Sequence, residues 1–413
     1  MTEQTSAEAA ADPFFCVVND GQWNACVGIQ GSAENYVDGY IEAALELVTA
    51  VIEKRMVASR DTLAMPILYN CRHGLELALK FAIDRLHDMK AVANLHPVNH
   101  DILSHWRHLH DAGIGDTRLK KLIVALEPFV KSLAAIDEDG QELRYALNRE
   151  GQKSLSGIAV VNLPLIRQSI EQMSGILHQL KERVHEMEEE RTTGSHTKEC
   201  SRADLEKIAS ILGNHATWRD PNFNEKKASI RKIFGLSSRK LSAAIDAIRK
   251  SRPLASRVGL ETDLKHLSDE KAVGVLEGWV KAHAKQACDF DNLGTDYFRR
   301  DWDKFQAHTQ QTHELDKAVL QLLNVEELSD LKVLFYIGRD RALGEHCDDY
   351  LAGTIAEHLG NKPLLNAVND LMSKTNLLDA VVEGARAVGR PSLAAKLRAL
   401  RAEVDAVAER PEE

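Results

Sequence analysis

The feature that most constrains this 413-residue chain is an apolar repeat at helical spacing that runs through nearly all of it. Ile41, Leu45, Val48 and Ile52 recur at i, i+4, i+7 and i+11. That spacing lines one face of an α-helix, which turns once in about 3.6 residues. Leu68, Cys71, Leu75, Leu79, Ala82 and Leu86 repeat the pattern over 63–86, with Asp61 and Thr62 as caps and Pro66 in the first turn. Further helices are expected over 101–109, 116–133, 163–190, 204–212, 228–234 and 239–250, and through most of 270–403. The expected fold class is all-α, built as several helical bundles. Near the start, 13–31 departs from the period: Phe14, Phe15, Val17 and Val18 sit among Gly and Asn as a short β-hairpin or an irregular arm.

Breaks in the period divide the chain. Residues 1–34 form an arm and 35–190 a helical bundle. The run from Glu188 to Thr197 loses its apolar period and gains Gly, Ser and Thr, which marks a linker at 191–202. A basic module at 203–265 and a C-terminal helical domain at 266–408 follow. The six cysteines are scattered without a CxxC pair, which argues against a disulfide framework or a thiolate metal site. No basic segment followed by an apolar run opens the chain, and no stretch reaches the ~18 apolar residues of a membrane span. A cytoplasmic protein with no membrane contact is expected. No phosphate-cradling glycine loop, nucleophile elbow or dinucleotide fingerprint occurs, so no cofactor is implied.

Opposite the apolar stripe of 63–86 lies a polar row of Tyr69, Arg72, His73, Glu76 and Lys80. Arg72, Glu76 and Lys80 follow at i, i+4 and i+8, the spacing of a solvated salt-bridge row. The string from Arg72-His73-Gly74-Leu75-Glu76 to Lys80 is followed by His100-Asp101-Ile102-Leu103-Ser104-His105-Trp106, and later by Leu143-Arg144-Tyr145. Together these strings resemble the HEPN-like helical modules of bacterial uncharacterised and defence-associated proteins, over roughly residues 35–190. The resemblance implies a helical bundle, dimerisation, RNA or nucleotide chemistry, and a partner protein of a defence operon. Catalytic members of that family cut RNA with an arginine and a histidine separated by four to six residues, the arginine first. The arginine steadies the phosphate and the histidine moves a proton. Arg72 directly precedes His73, and no arginine of 35–190 has the catalytic spacing. The N-terminal bundle is therefore read as a non-catalytic copy, with Tyr69, Arg72, His73, Glu76, Lys80 and His100 as its polar face.

His96, His100, His105, His108 and His110 crowd one stretch, yet carry no metal-ligand signature, so no metal is assigned. Between Asn222 and Arg257 ten basic residues face only Glu225 and Asp246, giving +8 in a chain of net charge −10. Such asymmetry points to a polyanion, or to docking on acidic protein surface. A helix, a Gly235-Leu236-Ser237 turn and a second helix resemble a helix-turn-helix. The candidate nucleic-acid contacts are Lys226, Lys227, Arg231, Lys232, Arg239, Lys240, Arg249 and Lys250. The C-terminal part offers Arg341-x4-His346 and Arg339-x6-His346. In one continuous helix over 328–351, Arg339 and His346 share a face, which makes them candidates for metal-independent RNA cleavage. Three functions are thus open: a dimeric nucleic-acid-associated protein, a ribonuclease using Arg339, Arg341 and His346, and a scaffold or immunity-type partner that binds only protein.

Overall fold

The computed structural model describes residues 14, 21–28, 31–148, 150–158, 160–283, 302–360 and 363–408. Over these the protein is all-α, with sixteen α-helices and no sheet. In chain order they are α1 (Ala33–Glu53), α2 (Arg60–Asp88), α3 (Ile102–Asp111), α4 (Thr117–Ile136), α5 (Leu163–Thr192), α6 (Arg202–Leu212), α7 (Phe223–Phe234) and α8 (Ser238–Lys250). There follow α9 (Arg252–Ser256), α10 (Asp269–His283), α11 (Trp302–Leu322), α12 (Val325–Asp340), α13 (Cys347–His358), α14 (Leu364–Met372), α15 (Leu377–Ala387) and α16 (Pro391–Ala408). Of the hairpin or arm expected at 13–31, the described residues show a short 3-10 turn at Gly21–Trp23 and no strand, and Phe15, Val17 and Val18 lie outside the described residues. The break expected at Asn292–Gly294 also lies outside them. Among the described residues no helix is long and apolar enough to cross a membrane.

The chain forms two compact units. The first comprises residues 1–114 and 118–184. Its centre is α2, which is buried almost all round instead of along one stripe. Ile67, Leu75, Ala78, Leu79, Ile83 and Leu86 have essentially no exposure, and α1 packs along the helix through Val37, Ile41, Ala44 and Val48. The helix begins at Arg60, one residue before the expected caps, so Pro66 lies in its second turn. Trp106 of α3 enters the bundle and donates to the Ile123 carbonyl at 2.7 Å.

The second unit comprises residues 115–117 and 185–413 and contains two apolar cores. One gathers Leu205, Ile208, Leu212, Ile230, Leu241 and Ile248 from α6, α7 and α8. The other spans Leu264 to Leu400 and centres on α12 and α15. Those two helices cross at glycines: a Cβ on Gly338 would lie 1.8 Å from the Ala380 carbonyl oxygen, and one on Gly384 would lie 1.9 Å from that of Leu334.

The stretch expected as a linker is a packed connection. Ser195, Cys200 and Ser201 are buried. Thr193 donates to the Glu190 carbonyl at 2.6 Å, and Thr197 Oγ1 accepts from the Cys200 amide at 3.0 Å. Hydroxyl side chains here satisfy backbone groups in place of helical hydrogen bonds, so the apolar period stops without the chain leaving the core.

Because a methyl at the α12–α15 crossing meets backbone, Gly384→Ala is expected to destabilise the second unit by about 3 kcal/mol in chemical denaturation. Gly353→Ala, on an exposed face of α13 with nothing within 4 Å of the added atom, is expected to be neutral or stabilising by up to about 1 kcal/mol.

Candidate functional sites: a buried charge cluster and a basic turn

In the first unit the polar row of α2 is not a solvated face. Arg72 and Glu76 are each 1 % exposed. The i, i+4 geometry is present, with Arg72 Nη1 donating to Glu76 Oε2 at 2.8 Å. Because α2 is central, its polar side also lies under other chain segments, and the arginine spends its remaining donors on them. Nε donates to the Asp137 carbonyl at 2.8 Å, and Nη2 donates to the carbonyls of Glu138 and His100. Asp137, itself buried, accepts from the amides of Glu142 and Leu143 and thereby fixes the turn that presents those carbonyls.

Glu76 is the hub for the other polar residues. Lys80 donates to Oε1 at 2.7 Å and His100 Nδ1 meets the same oxygen at 2.8 Å, while His73 Nδ1 stands 4.0 Å from Oε2. Burial by itself raises this carboxyl's pKa. Hydrogen bonds from Lys80, His100 and Arg72, with His73 close by, outweigh it and hold the group far below the usual carboxylate range. His73 stacks on Tyr69 at 5.6 Å and meets the Tyr40 ring edge-on at 4.5 Å. Arg144 lies over both Tyr69 and Tyr145. All six residues expected on the polar face therefore converge; the first two strings meet at the Glu76 carboxylate, and the third adjoins them through Asp137 and Tyr69.

Sequence reasoning missed Asp137, Glu138 and Tyr40. The Asp137–Gly140 run reads only as a turn, and its one signal is that a buried guanidinium needs carbonyl acceptors. Chemically, Glu76 orients His100 through Nδ1 and leaves the opposite face of a 59 % exposed imidazole open. Arg72, by contrast, has four hydrogen bonds directed into the protein and offers no fork to an incoming phosphate. The neighbouring His105 is fully buried; burial, aided by the charge of Lys80, pushes it down to about 4. Among the described residues no group of three or more His, Cys, Asp or Glu side chains could hold a metal ion.

In the second unit, α6, α7 and α8 form the three-helix module. Gly235 closes α7 in the left-handed conformation, and the Ser237 side chain accepts from the Lys240 amide to start α8. Several of its basic side chains are engaged within the protein. Lys226 donates to the Leu212 carbonyl and so caps α6, and Arg249 bonds His215 and covers the Trp218 ring. Lys240 pairs with Glu199 at 3.0 Å, and Lys227 lies over Phe223. Arg231 reaches Ser238 at 2.9 Å, tying the end of α7 to the start of α8. Lys232 and Arg239 flank that tie, are exposed, and make no ion pair among the described residues. Lys250 has no ion pair there either, but lies beside a cavity lined also by Asp246, Glu345 and Asp348.

The expected continuous helix over 328–351 does not form. It ends at Asp340, Arg341 turns the chain with a φ of 53°, and a short 3-10 turn at Gly344–His346 precedes α13. The shared face of Arg339 and His346 is lost with it. Arg339 is held by Asp340 at 2.7 Å and stacks on Tyr336, whereas His346 bonds Thr192 at 3.0 Å and lies near Tyr350. The contacts of the two residues have no member in common.

Comparisons with family models, with curated proteins and with solved structures find no match to this chain.

Removing one partner of a buried ion pair strands the other, so Glu76→Gln and Arg72→Ala are each expected to cost about 3–5 kcal/mol of unfolding free energy. Arg72→Lys is not expected to rescue, because an ammonium cannot reproduce the planar fork. The folded carboxyl of Glu76 is depressed. Its stabilisation is complete above its ordinary value of 4.5 and drains away as pH falls below that. Denaturation across pH 2–7, a range of about five units chosen to bracket that fall, should show a loss of stability in acid that Glu76→Gln reduces.

Proposed function

We propose that this chain is a helical protein that associates with nucleic acid through the phosphate backbone, and that its contact surface is the α7–α8 turn. The observation that carries the proposal is the exposed, unpaired pair Lys232 and Arg239 beside Arg231 and Lys240, on a segment from Asn222 to Arg257 of charge +8 within a chain of net charge −10. Clustered cations on a module whose surroundings are acidic favour a polyanion, because each phosphate neutralised releases condensed counterions. In a helix-turn-helix the first residues of the second helix approach the groove, and here those residues are Ser238, Arg239 and Lys240. Aromatic residues are sparse on this surface, so the backbone rather than stacked bases supplies affinity.

In this proposal the N-terminal unit is a HEPN-like, non-catalytic module. It supports the protein's assembly as a dimer in a cytoplasmic defence or RNA-processing system. What supports that part is the resemblance of the strings at 72–80, 100–106 and 143–145, together with an arginine whose donors are all turned inward. No observation favours cleavage by Arg339, Arg341 and His346 over this account.

The test is a salt titration of binding to single-stranded RNA and to duplex DNA by the full chain and by Lys232→Glu/Arg239→Glu. Loss of two phosphate contacts should flatten the slope of log K against log salt by about 1.4–1.8 and weaken binding at least about tenfold at low salt, without lowering the melting temperature. Unchanged binding by the double variant would overturn the proposed surface, and failure of the parent to bind either polymer would favour the protein-only scaffold.

A further inference from the structure

The second unit holds a cavity of about 830 Å³ whose rim carries four arginines, Arg202, Arg257, Arg341 and Arg386. Three of them are matched. Arg202 forks onto Glu345 at 2.8 and 3.2 Å, Arg257 pairs with Glu206, and Arg386 donates to Glu383 at 2.9 Å. The guanidinium of Arg341 makes no hydrogen bond and no ion pair among the described residues, so the rim has one cation in excess. The crowding is felt at Arg257, which burial first and the charge of Arg202 second push below the usual arginine range. The lining also includes the apolar residues Ile337, Ala342, Leu343, Pro253, Ala387 and Pro391.

The backbone at Arg341 is left-handed, as it is at Arg55, Lys90 and Leu155. Arg341 caps α12 at φ 53°, with its amide donating to the Ile337 carbonyl. This is the position at which helices favour glycine, and a side chain there is strained. What this position provides is an exposed guanidinium beside the cavity.

We infer that this cavity binds a nucleoside phosphate, with the phosphate on Arg341 and the base against the Ile337–Leu343 and proline lining. The volume falls within the range of small-molecule sites, and a bare phosphate would leave the apolar lining residues uncovered. Arginine suits the phosphate because its planar fork donates two parallel hydrogen bonds. The same chemistry is available from a free nucleotide or from the 5′-phosphorylated end of a nucleic-acid strand. The site stands apart from the α7–α8 turn, and neither proposal depends on the other.

The informative variant is Arg341→Gly, because glycine relieves the left-handed strain while removing the guanidinium. Calorimetric titration of the full chain with AMP, ATP, inorganic phosphate, and a short oligonucleotide with 5′-phosphate or 5′-hydroxyl should show nucleotide binding. Loss of a charge-assisted contact should weaken it at least about tenfold in Arg341→Gly, with an equal or higher melting temperature. Preference for AMP and ATP identifies free nucleotide as the ligand, and preference for the 5′-phosphorylated over the 5′-hydroxyl strand identifies a chain end. Equal affinity of parent and Arg341→Gly would overturn the site, as would no binding by the parent or inorganic phosphate binding as tightly as AMP.

Discussion

The first unit depends on one interaction, the buried pair between Arg72 and Glu76. Burying two charges is costly unless every remaining donor and acceptor is also satisfied. Here that condition organises the structure around it. Arg72 draws the Asp137–Gly140 turn and the His100 loop onto α2, and Glu76 gathers Lys80 and His100 on its other oxygen. Segments far apart in sequence are thereby fixed to the central helix by polar contacts of defined direction. Apolar packing against α1 supplies burial, and the charge pair supplies register.

The second unit solves a different problem. Two apolar cores follow one another along the chain, joined by the short non-helical stretch between Val258 and Leu264. Its tightest packing comes from the absence of side chains, where α12 and α15 touch backbone to backbone at Gly338 and Gly384. Immediately beyond that crossing α12 must stop, and it stops on Arg341. The crossing and the stop together create the arginine-rimmed cavity. A packing constraint has placed a guanidinium beside it.

Much of the helical architecture was legible in the sequence, because periodic apolar residues such as Ile41, Val48, Leu75 and Leu79 report a buried face directly. The Gly235–Ser237 turn and its serine cap were legible for the same reason: local chemistry dictates them. The burial of Arg72 and Glu76 was not, since opposite charges at i, i+4 look alike on a solvated face and in a core. What decides is whether carbonyls 65 and 66 residues away arrive to accept the guanidinium, and no local pattern encodes that. The end of α12 escaped notice because the expected stop signal is a glycine, and an arginine occupies the left-handed position. The packed connection at 193–201 misled in the opposite direction, as Ser and Thr can mark exposed loop or internal capping equally well.

The central claim is a division of labour: the polar motif of α2 holds the fold, and the cations of the α7–α8 turn meet nucleic acid. Hydrogen exchange of the full chain at low salt, with and without single-stranded RNA, tests both halves at once. The account predicts added protection across 226–242 and none across 69–80, whose amides are already protected by the core helix. Protection gained at 69–80 and 100–106 with none at 226–242 would contradict it and move the nucleic-acid contact to the Glu76 cluster.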